Sequence, residues 1–270
     1  MDVIIDARLE VPPKDSSPLE TLGNFYHNLL CCLRYPASYP PVAELLRRYH
    51  HLDEGTWLVV SPVYWHATHN DAMIAASGED LRLGDDEAHL WFTAFAEFVA
   101  AENMTLYYHD AVTWLLQADT HPPITANPVH SIMQQSLMPH LRRLDTTFFW
   151  QRFITETQMF FSGHPLNKQR GECPINGVWM WGNGGLQAPA SRAIFTDDGL
   201  LAVAKLVSTH VSPYQRSNSY SKDSIVLLPD MTADGLHDLQ IKLQSFSVHW
   251  FWNNLAYASK PRSWLSRLWR

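Results

Sequence analysis

The chain has few cysteines, and their number and placement argue against a disulfide-rich protein and against the common zinc-binding motifs. Its 270 residues include 3 cysteines, Cys31, Cys32 and Cys173. Because adjacent cysteines pair poorly with each other and the count is odd, the sequence does not suggest a disulfide framework, and a reducing compartment is favoured. The CxxC and CxxH spacings do not occur, which removes the common zinc motifs.

Long apolar segments are also missing. No apolar run approaches the roughly 20 residues that a membrane helix needs. The opening MDVIIDARLE carries two acids in its first six residues, unlike a secretory signal. We therefore expect a cytoplasmic protein.

Basic residues and nucleophile motifs are scarce. Lys and Arg number 20 against 27 Asp and Glu, a formal charge of −7. Broad nucleic-acid binding needs clustered basic residues, so the sequence excludes nucleic acid as a partner. No GxSxG motif occurs, and Cys173 has an acid beside it rather than a base. Nucleophilic catalysis therefore has no support in the sequence.

The hydrophobic content is high enough for a large core. Hydrophobic residues make up 46% of the chain and charged residues 17%. Alternating helix and strand patterns predict an α/β fold: a single domain with a mixed, mainly buried sheet flanked by helices. We predict this domain over residues 1–258, with a weak subdivision near residue 122, followed by a basic aromatic tail at 259–270.

Periodicity and turn residues predict the individual elements. The predicted helices are 19–33, 40–49, one that begins at 85, 146–162, 200–209 and 235–257. The predicted strands are 3–5, 57–63, 72–76, 104–108, 112–116, 175–181 and 225–228.

The stretch 156–185 is the main candidate for a site. An aromatic helix ends there at a polar turn, His164-Pro165-Leu166-Asn167, and a buried strand then leads into Gly182-Asn183-Gly184-Gly185. Glycine allows backbone N–H groups to point into a cleft, so a strand followed by such a turn is a common place for a site.

Glu156 is the most distinctive residue of this stretch. Three aromatic residues share its face of the predicted helix, namely Phe149, Phe153 and Phe160. A carboxylate on an aromatic face must find a partner or take up a proton. Glu156 is therefore either a buried acid or base, or one half of a structural ion pair with Arg152 or Arg170. We predict that it is largely buried and that its partner lies within 164–176.

Other polar residues near the turn have two interpretations each. His164 is either a general acid/base or phosphate donor, or a cap for the negative end of the helix. Asn167 and Asn176 could bind a ligand or tie the turn to the strand. Gly182 and Gly184 could hold a phosphate or form a plain tight turn, since their spacing matches no nucleotide motif.

Two further segments allow a binding function or a structural one. The run DMTADGLHD at 230–238 could bind metal, but Thr232 or Asp234 also suits a helix N-cap, and we predict no metal site. In the tail, Trp264, Leu265, Leu268 and Trp269 share one face of a helix and three arginines take the other. This segment could bind a protein partner or an anionic membrane surface, or pack on its own domain.

The motifs resemble a bacterial family described as cofactor-independent phosphoglycerate mutase-like or as RpfE-type regulatory proteins. The resemblance rests on the run that begins WLVVSPVYWH, on ETQMFFSGHPLN and on PINGVWMWGNGG, and extends from about residue 57 to the tail. It implies a reduced alkaline-phosphatase-like core, a superfamily whose mutases use a Ser or Thr nucleophile and two metals. The chain departs from that pattern: it has no early Asp-Gly segment with a nucleophile, and Ser162 stands where the family has histidine.

The sequence thus predicts a regulatory or ligand-binding protein for a small phosphorylated ligand, without a cofactor. The alternative is a metal-dependent mutase or phosphatase that acts on a small phosphorylated metabolite. A third interpretation makes the motif residues purely structural. The predicted site residues are Glu156 and His164 for catalysis, and Asn167, Arg170, Asn176, Gly182 and Gly184 for ligand binding.

Overall fold

The structure, a computed structural model, describes residues 1–67, 71–171, 173–215 and 217–261. Its contacts divide the chain into two compact units. Met1–Ala37 and Gln187–Arg270 together form the first, which we call the terminal unit. Ser38–Leu186 forms the second, which we call the central unit.

The strands of the described chain are numbered in sequence order. They are β1 (Asp2–Asp6), β2 (Ser17–Leu19), β3 (Trp57–Ala67), β4 (Ala72–Ser77), β5 (Thr105–Asp110), β6 (Thr113–Gln117), β7 (Gly177–Trp181), β8 (Ile194–Thr196), β9 (Val211–Pro213), β10 (Ile225–Pro229), β11 (Val248–Phe251) and β12 (Ala256–Ser259).

The α-helices are numbered in the same way. They are α1 (Phe25–Cys32), α2 (Val42–Tyr49), α3 (Asp85–Ala100), α4 (Val129–Ile132), α5 (Met138–Leu141), α6 (Phe149–Gly163), α7 (Leu201–Val207) and α8 (Ala233–Leu243). Short 3₁₀ helices cover Gly78–Leu81, Pro165–Gln169 and Asp198–Leu200.

The terminal unit is built on a mixed sheet with the order β2-β12-β11-β1-β10-β8-β9. The strands from β11 through β9 run parallel, and β12 and β2 are added antiparallel at one edge. Strands β1 and β10 are almost wholly buried apolar runs, as expected for parallel strands with both faces covered. The core of this unit packs Val3, Ile5, Val226 and Trp250 together with Leu239 and Leu243 of α8.

The central unit is built on an antiparallel sheet in which β3 is the organising strand. Different parts of this 11-residue strand pair with β6, β7 and β4. Aromatic rings from α3, α6 and the sheet fill the core, among them Trp91, Phe95, Trp114 and Phe161, each at most 1% exposed. Ring contacts such as Trp91 to Phe161, with centroids 5.2 Å apart, hold the two helices together.

Strand β7 confirms the prediction of a buried strand that precedes the glycine turn. All five of its residues are buried, and Val178 and Met180 have no exposed surface. Among the described strands it pairs with β3 alone, so its burial comes from coverage of its faces by α4 and α6 rather than from strands on both sides. Helices α3 and α6 likewise confirm the predicted helices over these segments.

The predicted long helix at 235–257 is wrong. Helix α8 ends at Leu243, and the chain continues as β11 and β12. Val248 and Trp250 are buried while His249 between them is exposed, which is the two-residue period of a strand. The apolar spacing of this short segment fits both periods, and pairing with β1 decides in favour of the strand.

The predicted helix at 19–33 is too long at its start. Residues Ser17–Leu19 pair with β12 as β2, and Gly23 has a φ of 68° that a helix does not allow. Helix α1 begins after Asn24, whose side chain accepts a hydrogen bond from the His27 backbone N–H.

The predicted α/β class with sheet flanked by helices is confirmed, with the strands in two sheets rather than one. The domain limits at 1–258 and 259–270 stay predictions. Within the described residues, every helix is too short or too polar to cross a membrane.

Candidate functional site

Asn167 is occupied by the backbone around it. Its Nδ2 donates to the carbonyl oxygens of Phe161 at 2.8 Å and Ile175 at 2.7 Å, and its Oδ1 accepts from the Ile175 N–H at 2.9 Å. The side chain thereby fastens the last turn of α6 to the chain that enters β7. These three bonds use both amide hydrogens and the carbonyl, which is a structural use of the side chain, and ligand binding by Asn167 stays a prediction.

Asn176 plays the corresponding role one residue before β7. Its Oδ1 accepts from the Trp65 N–H at 2.6 Å, and its Nδ2 donates to the Trp65 carbonyl at 2.8 Å. The register of β3 against β4 shifts between Tyr64 and Trp65, so the asparagine satisfies backbone groups at an irregularity of the strand. The expected link from Asn176 to the polar turn is replaced by this link to β3.

The glycine turn is shaped by close packing. Gly182 has a φ of 80°, and a Cβ at this position would lie 3.0 Å from Val59 Cγ2. Its carbonyl accepts from the Ala43 N–H at 3.1 Å, at the start of α2. A Cβ on Gly184 would lie 3.4 Å from Pro41 Cβ, an ordinary contact. The fold itself therefore requires glycine at 182, and phosphate binding by this turn stays a prediction.

His164 lies at the end of α6, where the capping interpretation places it, but its side chain caps the start of the 3₁₀ helix Pro165–Gln169 rather than the end of α6. Its Nδ1 accepts from the Leu166 N–H at 3.4 Å and its ring packs against Trp91, with centroids 4.9 Å apart. The half-buried imidazole closes the aromatic core at this end of the helix. A catalytic role for His164 stays a prediction.

The prediction that Glu156 is largely buried is wrong. Its side chain is 43% exposed and pairs with Arg152 at 3.4 Å, one turn earlier on the same helix. The buried face of α6 is formed instead by Trp150, Ile154 and Thr157 with their neighbours. Phe153 is the one residue of the predicted face that is fully buried, while Phe149 and Phe160 are only partly buried, so the helix is rotated relative to the predicted face.

Arg170 connects three segments of the central unit. Its Nη1 pairs with Glu87 Oε2 at 2.7 Å, its Nε donates to the Cys173 carbonyl at 2.9 Å, and its Nη2 donates to the Leu81 carbonyl. Only 7% of the side chain is exposed. The guanidinium thus holds together α3, the 3₁₀ turn before it and the loop before β7, a structural function that needs several fixed donors.

These three segments enclose a cleft of about 960 Å³. We call it the Arg82 cleft. Its lining residues are Asp80, Leu81, Arg82, Asp86, Glu87, Leu90, Leu166, Arg170 and Cys173. Both signs of charge line its wall, and Leu90 exposes 56% of its surface. Of the predicted ligand-binding residues, Arg170 alone lines this cleft.

Arg82 adopts an unusual backbone conformation on the wall of the cleft. It lies in the left-handed region, with φ 50° and ψ 44°, at the end of the 3₁₀ helix Gly78–Leu81. This conformation costs a residue with a Cβ about 1 kcal/mol, and glycine or asparagine normally occupies it. The Arg82 side chain is exposed and forms no ion pair with the described residues. Sequence patterns carry no signal for such an arginine, and the prediction missed it.

A second polar cluster of the central unit was also missed. His50 Nε2 lies 2.8 Å from His109 Nδ1, and Tyr107 Oη lies 3.3 Å from His50 Nδ1. His109 Nε2 in turn faces the Asp110 carboxylate at 3.6 Å. Burial lowers the pKa of both imidazoles to about 4, helped at His50 by the neighbouring histidines. The pair is therefore neutral at neutral pH. Its members lie 59 positions apart in the sequence, so spacing could not reveal them.

The segment 230–238 behaves as a helix start. Thr232 Oγ1 accepts from the Gly235 N–H at 3.2 Å, the expected N-cap of α8. Asp230 Oδ1 accepts from the Met231 N–H at 2.8 Å. Across the described ranges, no three His, Cys, Asp or Glu side chains are arranged to hold a metal ion. The predicted tail face of Trp264, Leu265, Leu268 and Trp269 lies outside the described residues.

No protein-family model and no curated protein match this chain. Among solved structures, it is similar to the PH0037 protein from Pyrococcus horikoshii, with 11% identity, a TM-score of 0.43, and coverage of 96% of this chain and 86% of that one. It is also similar to a cofactor-independent phosphoglycerate mutase from Thermoplasma acidophilum, with 13% identity, a TM-score of 0.31, and coverage of 95% and 88%. These are weak similarities, and the alkaline-phosphatase-like core and the RpfE-type family stay predictions.

Proposed function

We propose that this protein is a ligand-binding protein whose Arg82 cleft takes a small phosphorylated metabolite with free hydroxyl groups. The observation that carries the proposal is Arg82 itself, an exposed arginine held in a costly conformation on the wall of a large cleft. Five other residues of the described chain besides the glycines share a positive φ, Arg34 among them, so it is the place of this exposed guanidinium on the cleft wall that supports the proposal.

The chemistry of the cleft fits a sugar phosphate or a phosphoglycerate. A guanidinium binds phosphate oxygens in a bidentate manner. The carboxylates of Asp80 and Asp86 are acceptors only, so they suit the hydroxyl groups of the same ligand. Arg170 contributes by fixing the shape of the cleft, because its own pairing with Glu87 holds the first turn of α3 in place.

Calorimetric titration with matched ligand pairs tests this proposal. We expect 3-phosphoglycerate or glucose 6-phosphate to bind, and glycerate and glucose to bind at least ~10-fold more weakly, since charge-assisted hydrogen bonds contribute about 1.5–3 kcal/mol. The variant Arg82→Asn removes the charge while asparagine accepts the left-handed backbone, so binding should fall without loss of stability.

The chain offers a matched control for this variant. Arg34 in the terminal unit is also exposed and has a φ of 70°. Arg34→Asn therefore makes the same change of charge and the same change of backbone preference outside the cleft. Equal binding by both variants, or equal affinity for phosphorylated and unphosphorylated ligands, would refute the proposal.

The alternative is a metal-dependent phosphotransfer enzyme, and one feature of the terminal unit favours it. Asp6, Asp197 and Asp230 each stand at or just after the carboxyl end of a parallel strand, where α/β sheets commonly bind ligands, although among the described residues they are not arranged as a metal-binding group. Each carboxylate already accepts a hydrogen bond from the protein. Titration with Mn²⁺ or Zn²⁺ followed by metal analysis decides this alternative: two tightly bound ions per chain that Asp6→Asn removes would support the enzyme.

A further inference from the structure

A second cavity, of about 330 Å³, lies in the terminal unit beside α8. We call it the α8 pocket. Helix α8 forms one wall, β11 and β12 form the floor, and the loop at 13–16 closes the rim. Its volume falls within the range of small-molecule sites, about 300–1,000 Å³.

The floor of the α8 pocket is aromatic and flat. Trp250 and Tyr257 stack with their planes at 14° and their centroids 6.0 Å apart. Ile241 on the wall exposes 49% of its surface and so offers an apolar contact. This combination favours a ligand with a flat apolar body.

Hydrogen-bond donors predominate among the polar groups of the pocket. Lys14 and Lys260 supply ammonium groups, and Gln240 and Gln244 supply amides, against a single acidic residue, Asp15. Two lysines against one acid give a positive lining in a chain with a net charge of −7. A ligand that satisfies these donors must be rich in acceptors and negatively charged.

Tyr257 gives the independent sign of a ligand. It is 1% exposed, and Gln240 and Trp252 direct donors toward its oxygen, yet the hydroxyl proton has no acceptor at hydrogen-bond geometry among the described atoms. Burial raises its pKa, although the nearby Gln240 and Trp252 act to lower it, so the hydroxyl remains a proton donor. A buried donor without an acceptor costs about 1–3 kcal/mol, and a bound ligand that accepts from it removes this cost.

Ser259 adds a second donor. Its Oγ accepts from Trp250 Nε1 at 3.0 Å, which leaves its own hydroxyl proton for another acceptor. We propose that the α8 pocket binds a small aromatic molecule that carries one anionic group. The ring lies against the apolar wall and floor, and the anion accepts from the lysines and hydroxyls. This site is separate from the Arg82 cleft and does not depend on the function proposed for it.

Calorimetric titration of the full chain with 1-naphthyl phosphate tests the proposal. Inorganic phosphate carries the anion alone and 1-naphthol carries the ring alone, and each should bind at least ~10-fold more weakly than the complete probe. The same titration in the Arg82→Asn variant removes the contribution of the Arg82 cleft, and 1-naphthyl phosphate should still bind to this variant. Failure of 1-naphthyl phosphate to bind at millimolar concentration overturns the proposal.

Two variants separate a binding role from a structural one. Tyr257→Phe removes one hydroxyl and should weaken the probe ~2- to 10-fold, the worth of one hydrogen bond. The thermal stability of the free protein should fall by less than one hydrogen bond is worth, since the hydroxyl proton has no acceptor to lose and the donors from Gln240 and Trp252 are outside hydrogen-bond geometry. A stability loss with unchanged affinity would make Tyr257 structural and contradict the proposal.

Lys260→Gln should weaken the probe ~10-fold or more, as expected for a charge-assisted contact. Lys222→Gln is the matched control, because this exposed lysine of the same unit does not line the pocket. Equal affinities in the two variants overturn the proposal. Binding that appears only after Trp264→Ala and Trp269→Ala would assign the pocket to the chain's own C-terminal segment, and would overturn it as well.

Discussion

Two regions of this protein, the stretch 156–185 and the α8 pocket, make opposite use of their polar groups. In the first, the side chains of Asn167 and Asn176 form hydrogen bonds with backbone atoms of the central unit. In the second, the proton of the buried Tyr257 hydroxyl has no acceptor among the described atoms. Polar residues that stand out in a sequence motif can therefore have a structural role. The polar groups that are available to a ligand can belong to residues that no motif marks.

The physical reason is that irregular backbone needs side-chain partners. The chain between α6 and β7 is neither helix nor strand, so its N–H and carbonyl groups require acceptors and donors from elsewhere. Asparagine and arginine supply them, which places such residues at junctions. A pocket residue such as Tyr257 sits in a regular strand whose backbone is already paired, and its polar atom remains available.

The largest expected loss of stability follows from substitution of Arg170, which ties segments of the central unit together and also lines the Arg82 cleft. Arg170→Met keeps much of the buried stem but leaves Glu87 and the carbonyls of Leu81 and Cys173 without their donor. We expect the free energy of unfolding to fall by about 3–5 kcal/mol in urea denaturation. Arg152→Met, at a residue 65% exposed, is the control and should change it by less than about 1 kcal/mol. Similar stabilities of the two variants would show that the bonds of Arg170 to Glu87, Leu81 and Cys173 do not stabilise the walls of the cleft.

Acid should destabilise the terminal unit through His27. Burial lowers its pKa from 6.5 to about 4, against hydrogen bonds to the carbonyls of Ala37 and Leu22 that act to raise it. The unfolded chain therefore binds a proton near pH 6.5 and the folded chain only near pH 4. The corresponding stability, roughly 3 kcal/mol, is present above pH 6.5 and is lost as the pH falls toward 4.

Urea denaturation at pH 7.5 and pH 5 measures this loss. His27→Gln keeps a donor for the Ala37 carbonyl, which His27 Nε2 contacts at 2.9 Å, but cannot titrate. The variant should lose less stability than the parent between the two pH values. Equal losses would mean that His27 is solvated in solution.

A smaller effect is expected at Asn167, and it tests whether the motif serves the fold. Asn167→Ala removes three hydrogen bonds and leaves the Ile175 N–H and carbonyl unpaired, while the Phe161 carbonyl keeps the bond from the His164 N–H. Because the region is only partly buried and water can replace some of these bonds, we expect a loss of about 2–3 kcal/mol. Asn127→Ala is the control, since the Asn127 carbonyl rather than its side chain contacts Trp179. A fully stable Asn167→Ala protein that loses binding of phosphorylated ligands would instead restore the predicted binding role.

The regular elements were predictable because their periods are long and clear. Helix α3 repeats its apolar residues over 16 positions, and β7 is an uninterrupted apolar run. Strands β11 and β12 were missed because each has four residues, too few to separate the two periods. Their assignment depends on pairing with β1 and with each other, which is tertiary information.

The location of the candidate site was partly predictable, whereas the roles of its residues were not. The sequence pointed to the surroundings of Arg170, which does line the Arg82 cleft. Asn176 bonds a residue 111 positions away, and Arg170 bonds one 83 positions away, so no local pattern could specify either role. Arg82 was missed because its significance lies in a backbone angle that arginine does not normally adopt.

The smallest effect is expected at Glu156, the residue that the sequence singled out most strongly. Its pair with Arg152 lies one turn apart on an exposed helix surface, with side chains 43% and 65% exposed. Such pairs contribute about 0.3–0.5 kcal/mol, and salt screens them further. Glu156→Gln should therefore shift the urea midpoint only slightly, and the shift should vanish in 1 M NaCl. It should leave ligand binding unchanged, since Glu156 lines neither the Arg82 cleft nor the α8 pocket. A loss of unfolding free energy above about 2 kcal/mol, or a change in affinity for phosphorylated ligands, would show that Glu156 has the role in the site that the sequence predicted. The stretch 156–185 would then use its polar groups for a ligand, as the α8 pocket does.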